Sequence, residues 1–465
     1  MNLQLFDTSA GEKRLFEPLV PGKATVYVCG PTVYNFAHIG NARPAVVFDV
    51  LVRLLRTYLD VTYARNITDV DDKINKAAKE QCCSIGEISA RYREAYHEDM
   101  AALGVLPPDI EPHATEHIEE MCDMIARLVE DGHAYAAEGH VLFSVESFDE
   151  YGSLSGRDLR EMIAGARVEI APYKRHPADF VLWKPAADDE PGWESPWGRG
   201  RPGWHIECSA MIEKHLGDQI DIHGGGQDLV FPHHENERAQ STCAHGGKSF
   251  VNFWMHNGFL SMNSTKMSKS LGNVLLVRDL RDEAKGEAIR LALLSAHYRQ
   301  PLDWTDNTLT EATRKLDRMY TALQRADAAA GKLIPAADTI PESVRAALAD
   351  DLNTPKALAA LFELVRALNS SDEIRTQCEL AGAIRAGGDV IGLLADNPDD
   401  WFAADQGDLD VASIEQLIAD RASAKAARDF GEADRIRDLL TEQGIRISDG
   451  PEGTRWQRVA GGGAK

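Results

Sequence analysis

Hydrophobic and polar residues near the start of the chain follow the order strand, turn, helix, strand. Residues 24–28 alternate and are rich in strand-forming side chains, residues 44–59 place apolar side chains at helical spacing, and residues 61–67 again have strand character. A polar turn at 68–72 leads into another helix. This order predicts the first βαβ unit of a doubly wound parallel sheet, in which ligands bind beyond the carboxyl ends of the strands.

Three aspartates lie in that polar turn: Asp69, Asp71 and Asp72. Carboxylates at this spacing can bind a cation or cap the helix that follows. We favour capping, because short acidic runs are common at helix starts.

The pattern changes again after residue 102. Residues 103–202 are marked by Pro, Trp and Gly clusters and interrupt the sheet, which resumes over 203–273. The rest is predicted to be mostly helical. Helices cover 275–325 with a polar break at 300–307, and a linker at 326–341 leads to an amphipathic helical bundle at 342–394. An acidic linker at 396–410 is followed by a last helical pair and by two short strands at 444–456.

Composition narrows the class of protein. No stretch of about 18 apolar residues and no secretory leader is visible, so we predict a cytoplasmic protein without a membrane segment. The seven irregularly spaced cysteines fit reduced thiols better than a disulfide framework. The formal charge of −23 means that a nucleic-acid partner needs a locally basic surface. Residues 421–465, with nine Lys/Arg against seven Asp/Glu, are the candidate for that surface.

Two short motifs point to a phosphate-bearing ligand. His38-Ile39-Gly40-Asn41 lies in the turn between the first strand and its helix, where backbone N–H groups and the positive helix end favour an anion. Alone this motif is weak, because such turns often carry Gly for packing only. Lys266-Met267-Ser268-Lys269-Ser270 is far more specific, and its lysines would neutralise charge on phosphate oxygens.

Together the two motifs resemble the paired motifs of class I aminoacyl-tRNA synthetases. Residues 29–35, 203–211 and 222–237 are similar to the cysteinyl-tRNA synthetase family, and the resemblance runs from about residue 5 to 458. It implies that ATP and L-cysteine form cysteinyl-adenylate, and that cysteine then passes to the 3′-terminal adenosine of tRNA(Cys). Mg²⁺ would accompany ATP. Because no coiled-coil seam is visible, we expect a monomer.

The resemblance also implies an α/β fold: a Rossmann-type doubly wound parallel sheet, split by a connective-peptide insertion and followed by helical domains and a small C-terminal α/β module. The insertion would help to hold the acceptor end of the tRNA. The predicted domains are a catalytic domain at 1–102 and 203–273, the insertion at 103–202, a helical stem-contact region at 274–325, a helical bundle at 326–405, and an anticodon-binding module at 406–465.

A metal site is suggested by residues 231–237, predicted to start a helix on which His233 and Glu237 share a face. With two distant thiols they supply donor types that zinc accepts, although capping or core roles fit the spacing too. The resemblance implies that Cys29, Cys208, His233 and Glu237 bind one Zn²⁺ per chain. Our hypothesis is that this zinc separates cysteine from serine directly, since it prefers a thiolate to a neutral hydroxyl.

Other residues are candidates for the site because their motifs are predicted to lie at the ligand edge of the sheet. The candidates for catalysis and for ATP binding are His38, Asn41, Lys266 and Lys269, and Gly225 and Asp228 join them for ATP binding. Asn41 stands where the familiar His-Ile-Gly-His motif has its second histidine, so this contact cannot be charged. The amino-acid pocket candidates are Cys29, Thr68, Trp204 and His223, of which Trp204 and His223 equally suit packing. The glycines at 224–226 also suit a tight turn.

The resemblance implies anticodon contacts at the C-terminal end, for which the candidates are Asp449, Trp456 and the Arg-rich helix at 421–437. Without the resemblance, a solvated helix with a core Trp fits this end equally well. Two other functions remain open from the sequence. One is a ligase that joins cysteine to a small-molecule amine, which would not need the C-terminal module. The other is a catalytically silent protein that binds tRNA or zinc, although no motif lysine or metal ligand is lost.

Overall fold

The computed structural model describes residues 2–157, 171–263, 265–266, 274–403, 411–427, 429–442, 445–450 and 453–458. The strands are, in chain order, β1 (Gln4–Asp7), β2 (Glu12–Leu15), β3 (Lys23–Val28), β4 (Asp60–Arg65), β5 (Ala134–Ala137), β6 (His140–Phe143), β7 (Phe180–Pro185), β8 (Gly200–Pro202), β9 (Ile220–Gly226), β10 (Val251–Asn257), β11 (Leu260–Met262), β12 (Thr265–Lys266), β13 (Leu302–Trp304), β14 (Ile445–Gly450) and β15 (Gly453–Arg458).

The α-helices follow the same order. They are α1 (Ile39–Arg56), α2 (Asp72–Gln81), α3 (Ile85–Ala102), α4 (Ile118–Glu130), α5 (Trp204–Leu216), α6 (Glu235–Ala244), α7 (Val277–Glu283), α8 (Gly286–Leu293), α9 (Thr308–Ala330), α10 (Glu342–Ala349), α11 (Thr354–Ser370), α12 (Ile374–Asp389), α13 (Pro398–Ala403), α14 (Val411–Ala426) and α15 (Phe430–Glu442). None of the described helices is both long and apolar enough to span a bilayer.

A four-stranded parallel sheet in the order β10-β9-β3-β4 forms the centre of the molecule. Two of its strands precede and two follow the long segment that contains the antiparallel sheet β5-β6-β7-β8. The predicted fold class, a parallel sheet split by an insertion, is therefore confirmed. The carboxyl ends of β3, β4, β9 and β10 meet at one edge, where ligands bind in folds of this kind.

Helix α1 packs against the sheet along most of its length, because its apolar residues occupy nearly every inward position. The approach is close: a Cβ on Gly224 of β9 would lie 2.3 Å from the ring of Phe48. This contact fixes the helix start, and with it His38, relative to the end of β9.

The aspartates at 68–72 serve the fold. The Asp71 carboxylate accepts the backbone N–H of Lys73 at 2.7 Å and caps α2. Asp69 accepts the backbone N–H and the hydroxyl of Thr115, and Asp72 pairs with Lys184 and Arg201. The capping interpretation of this turn is confirmed for Asp71.

Helices α9 to α12 pack onto the same hydrophobic core as α1 and α8. Within this core, the buried ion pair of Arg290 with Asp49 joins α8 to α1. Three details differ from the prediction. Helix α9 continues to Ala330 because its last residues are alanines with high helix propensity, the predicted polar break contains β13, and the predicted acidic linker contains α13. The predicted domain limits stay a prediction.

The C-terminal part is a helical pair, α14 and α15, followed by the antiparallel hairpin β14-β15. Its small core is made of Ile414, Ile436, Leu440 and Ile445. The two predicted short strands are thus present. Asp449 and Trp456 lie on opposite strands of this hairpin, and the placement of their side chains is outside the described part of the structure.

Candidate metal centre

Three segments bring four metal-binding side chains to the carboxyl edge of the sheet. Cys29 follows β3 directly, Cys208 lies on α5, and His233 and Glu237 flank the start of α6. The prediction that residues 231–237 start a helix, with Pro232 at an entry position, is confirmed, because a π-helical turn at 230–234 leads directly into α6. Phe231 is extended, Pro232 has no N–H to donate, and the regular helix begins only at Glu235. His233 and Glu237 still meet, with 2.9 Å between Nε2 and Oε1.

Three of the separations between these donor atoms fit a single zinc ion, whereas the 2.9 Å between His233 and Glu237 is a hydrogen-bond distance that a bound ion would widen. A tetrahedral zinc with bonds of about 2.0–2.3 Å places its donors about 3.3–3.8 Å apart. The two sulfur atoms are 3.7 Å apart, Cys29 Sγ is 3.6 Å from Glu237 Oε1, and Cys208 Sγ is 3.7 Å from His233 Nε2. All four donors lie within 4.8 Å of one another. Two thiols, an imidazole and a carboxylate are a donor set that zinc accepts.

The charges in this cluster call for a cation. Burial alone would raise the pKa of Glu237, but His223 and His233 outweigh it and hold that pKa well below its ordinary value. Burial would likewise lower the pKa of His233, yet the Glu237 carboxylate raises it to about 10. Positive imidazole charge therefore balances the buried Glu237 carboxylate, and a divalent ion held by the same four donors would supply that charge instead.

Aromatic and imidazole groups fix the orientation of His233. Its Nδ1 lies 3.0 Å from Nδ1 of His205, which leaves Nε2 directed at the cluster. Trp204 stacks on the same ring with centroids 4.1 Å apart. Burial, followed by the neighbouring His233, lowers the pKa of His205 to about 3, so His205 is neutral. Such partners normally set the tautomer of a metal-binding histidine.

A second donor set overlaps the first. Cys29, His223, His234 and Glu237 also lie within 4.8 Å of one another. His223 Nε2 is 2.8 Å from the second carboxylate oxygen of Glu237, and His234 Nε2 is 3.4 Å from Cys29 Sγ. Because the two sets share Cys29 and Glu237, one ion uses one set only. The set with two sulfur donors fits zinc better.

The pocket candidates have different surroundings. Trp204 is 39% exposed and forms an open wall beside His233, whereas His223 is fully buried behind Glu237. Thr68 is buried, and its hydroxyl lies 3.3 Å from the carboxylate of Glu207. Burial raises the pKa of Glu207 well above its ordinary value. The structure thus brings Cys29, Thr68 and Trp204 to one edge, while His223 supports the cluster from behind.

The start of α1 lies at the same edge. His38 is the N-cap residue, and the Asn41 side-chain oxygen accepts the His38 backbone N–H at 3.2 Å. Asn41 therefore closes the first turn of the helix. The backbone of Lys266 lies on β12, whereas Lys269 is outside the described residues.

Gly225 lies near the end of β9, and Asp228 lies in the short turn that follows this strand. A Cβ on Gly225 would lie 2.9 Å from both His234 and Leu229, so packing by itself requires glycine here. Asp228 is exposed in the short turn after the strand. Their part in ATP binding stays a prediction.

Sequence reasoning missed several groups of this site, namely His205, Glu207 and His256. His256 is the penultimate residue of β10, lies 2.8 Å from His234, and is 2.7 Å from the hydroxyl of Thr8. Burial, and then His223, lowers its pKa to about 3. One signal was available: a buried apolar strand that ends in polar residues at the ligand edge of a sheet is unusual unless those residues serve the site.

The chain is similar to known proteins over nearly its whole length. Residues 15–314 match the family described as tRNA synthetases class I (C) catalytic domain, and residues 343–395 match the DALR domain. A cysteine–tRNA ligase of Parvibaculum lavamentivorans is 60% identical over 463 residues, covering 99% of this chain and 98% of its own length. A cysteine–tRNA ligase of Rhodospirillum rubrum is 57% identical over 99% of this chain and 100% of its own.

Solved structures are similar in fold at much lower identity. The Mycobacterium tuberculosis methionyl-tRNA synthetase in complex with methionyl-adenylate superposes with a TM-score of 0.57 at 14% identity, over 82% of this chain and 93% of the other. The LeuRS–tRNA–LeuAMS ternary complex of Agrobacterium radiobacter gives a TM-score of 0.59 at 12% identity, over 83% and 86%. At this identity the likeness concerns the fold alone.

Proposed function

The chain belongs to the cysteine–tRNA ligase family of class I aminoacyl-tRNA synthetases, and on that premise we propose that it joins L-cysteine to tRNA(Cys) in two steps. In the first, the cysteine carboxylate attacks the α-phosphate of ATP, giving cysteinyl-adenylate and pyrophosphate. In the second, a ribose hydroxyl of the terminal adenosine attacks the adenylate and releases AMP. The predicted family, and the class of enzyme with it, is confirmed.

One observation carries the proposal of how cysteine is chosen: the donor cluster of Cys29, Cys208, His233 and Glu237 beside the open face of Trp204. These four residues would hold one Zn²⁺. When bound, zinc would supply a Lewis-acid centre that favours a thiolate over a neutral hydroxyl. The sulfur of cysteine and the oxygen of serine differ little in size, and an apolar pocket separates such near-isosteres by only about 10²-fold.

The protein's own groups have to orient the reactants and neutralise phosphate charge, since neither step needs a protein nucleophile. His38 and the helix start closed by Asn41 would receive the triphosphate, with Lys266, Lys269 and the Mg²⁺ that accompanies ATP. Trp204 and Thr68 would orient the cysteine, with Gly225 and Asp228 close to the nucleoside. Because the Asn41 side chain is neutral, its own contact with the triphosphate would not depend on pH.

The tRNA would contact the C-terminal part of the chain. The match to the DALR domain at 343–395 and the basic balance of 421–465 support this assignment. Asp449 and Trp456 on the hairpin β14-β15 are the proposed anticodon contacts, by hydrogen bonding and stacking. We propose that L-cysteine, ATP and tRNA(Cys) are its partners, and that the protein acts as a cytoplasmic monomer.

The test is cysteine-dependent exchange of pyrophosphate into ATP without tRNA, with serine as control and zinc measured in the same sample. We expect exchange with cysteine only, at about one zinc per chain. Charging of tRNA(Cys) in a second assay then separates this function from transfer of cysteine to a small-molecule amine. A folded, zinc-loaded protein without exchange would be a silent binding protein instead.

Removal of residues 411–465 is expected to leave pyrophosphate exchange within about twofold of the full chain. It should lower kcat/KM for charging of tRNA(Cys) by about 10- to 100-fold, which corresponds to a loss of about 1.4–2.8 kcal/mol of transition-state binding. The reason is that α14, α15 and the hairpin have a core of their own, separate from the sheet. Thermal unfolding of the shortened chain is the control. Equal losses in both assays would mean that the C-terminal part supports the catalytic domain.

A further inference from the structure

Arg43 is a buried cation whose hydrogen bonds, within the described part of the chain, all go to backbone carbonyls. It lies on α1 two residues after Asn41 and is 1% exposed. Its Nη1 donates to the carbonyls of Gly258 and Phe259, both at 2.7 Å, and its Nη2 donates to the carbonyl of Gln300 at 2.6 Å. No carboxylate among the described residues lies within 4.0 Å of it, and burial lowers the pKa of Arg43 to about 10.

Those carbonyls belong to two turns that cross tightly. The Gly258 N–H donates to Tyr298 and the Leu302 N–H donates to Phe259, at 2.8 and 2.9 Å. A Cβ on Gly258 would lie 2.7 Å from the carbonyl oxygens of both Arg299 and Gln300. The guanidinium fork therefore spans the turn between β10 and β11 and the turn before β13, which a single ammonium group cannot do.

The turn that Arg43 holds leads directly to Lys266. Strand β11 starts at Leu260, just after Phe259, and its Ser261 pairs with Lys266 on β12. On the other side of the lysine motif, the N–H of Ile39 donates to Leu275 and the N–H of Val277 donates to Ala37, at 3.0 and 2.9 Å. Both flanks of the motif are thus attached to the first turns of α1.

We propose that Arg43 is a positioning residue for the activation step: it fixes the strand that carries Lys266 at a set distance from the helix start that carries His38 and Asn41. This inference rests on the proposed function. It explains why a charged side chain without a counter-ion is kept in the core. A buried fork that satisfies converging carbonyls holds two turns together, and an apolar residue would leave those carbonyls unpaired.

The test is the substitution Arg43→Lys, studied by cysteine-dependent pyrophosphate exchange. We expect kcat/KM for ATP to fall by about 10- to 100-fold, because a displacement of about 1 Å near reacting atoms has an effect of this size. The KM for cysteine should change by less than about twofold. The zinc content should equal that of the wild type. If the wild-type protein shows no exchange, the proposed function is wrong. If the wild-type protein shows exchange and Arg43→Lys leaves kcat/KM for ATP unchanged, only this inference is wrong.

The matched control is Arg53→Lys on the same helix. Arg53 also donates to a carbonyl, that of Gly104, and pairs with Asp49, but it faces away from β11 and β12. We expect a similar loss of thermal stability and unchanged kinetic constants. Gly258→Ala disturbs the same turn while the Arg43 side chain stays in place, and it should reproduce the ATP-selective defect. Equal effects on ATP and cysteine, or a loss of stability alone in Arg43→Lys and Gly258→Ala, would overturn the inference.

Discussion

Replacement of Cys208 by Ser is expected to remove zinc from the protein and to lower cysteine-dependent pyrophosphate exchange by about 10²- to 10³-fold, the range found when one preorganised electrostatic contact of a catalytic site is lost. Cys208 is 1% exposed and lies between Cys29 and His233, at 3.7 Å from each donor atom. A neutral hydroxyl at this position is a much weaker zinc donor than a thiolate. Zinc content and exchange measured on the same samples check the prediction.

The variant His234→Gln is the matched control, because it tests the overlapping donor set. If zinc uses Cys29, Cys208, His233 and Glu237, the Gln variant keeps its zinc and the Cys208 variant loses it. If zinc uses the set with His223 and His234, the results are reversed. Retention of zinc by the Cys208 variant would therefore contradict the assignment.

Removal of zinc also tests how serine is rejected. We expect the preference for cysteine over serine in the metal-stripped protein to fall to about 10²-fold or less, the limit of an apolar pocket for near-isosteres. The measurement is the ratio of kcat/KM for the two amino acids, with zinc restored in a parallel sample. A strong preference that survives without metal would mean that side chains near Trp204 make the distinction.

Gly30→Ala is the second substitution with a large expected effect. A Cβ on Gly30 would lie 1.6 Å from the carbonyl oxygen of Asn66 and 2.7 Å from its carbonyl carbon, and both are backbone atoms. The segments after β3 and β4 would have to separate, which costs at least about 3 kcal/mol of unfolding free energy, the upper end for overpacked sites. Cys29 precedes this residue directly, so we expect zinc content and exchange to fall together.

Chemical unfolding, zinc analysis and pyrophosphate exchange check this prediction. Gly86→Ala is the control, because Gly86 lies in the exposed first turn of α3, where the closest atom to an added Cβ is 4.0 Å away. That change should leave activity unchanged and add up to about 1 kcal/mol of stability. Wild-type zinc content and exchange in Gly30→Ala would show that the ends of the two strands tolerate displacement.

Local patterns explain which parts of the fold were predictable. The alternation at 24–28, the helical spacing at 44–59 and the strand at 61–67 reflect the periods of strands and helices, and the structure has β3, α1 and β4 there. The helix entry at 231–237 was predictable from Pro232, but the π-helical turn at 230–234 that precedes the regular helix was not, because residue spacing does not report the extended backbone of Phe231.

The sequence by itself determined the parallel sheet, its insertion, the family, and the two motifs expected at the ligand edge. These follow from the side-chain period of each element and from short runs of residues close in the chain. The family resemblance already named the four residues of the metal cluster. Only the tertiary structure decided that further histidines surround them, that His223 supports Glu237 from behind, and that Arg43 joins two distant turns. Such contacts join residues up to about 260 positions apart, and no periodicity along the chain encodes the relative placement of two packed elements.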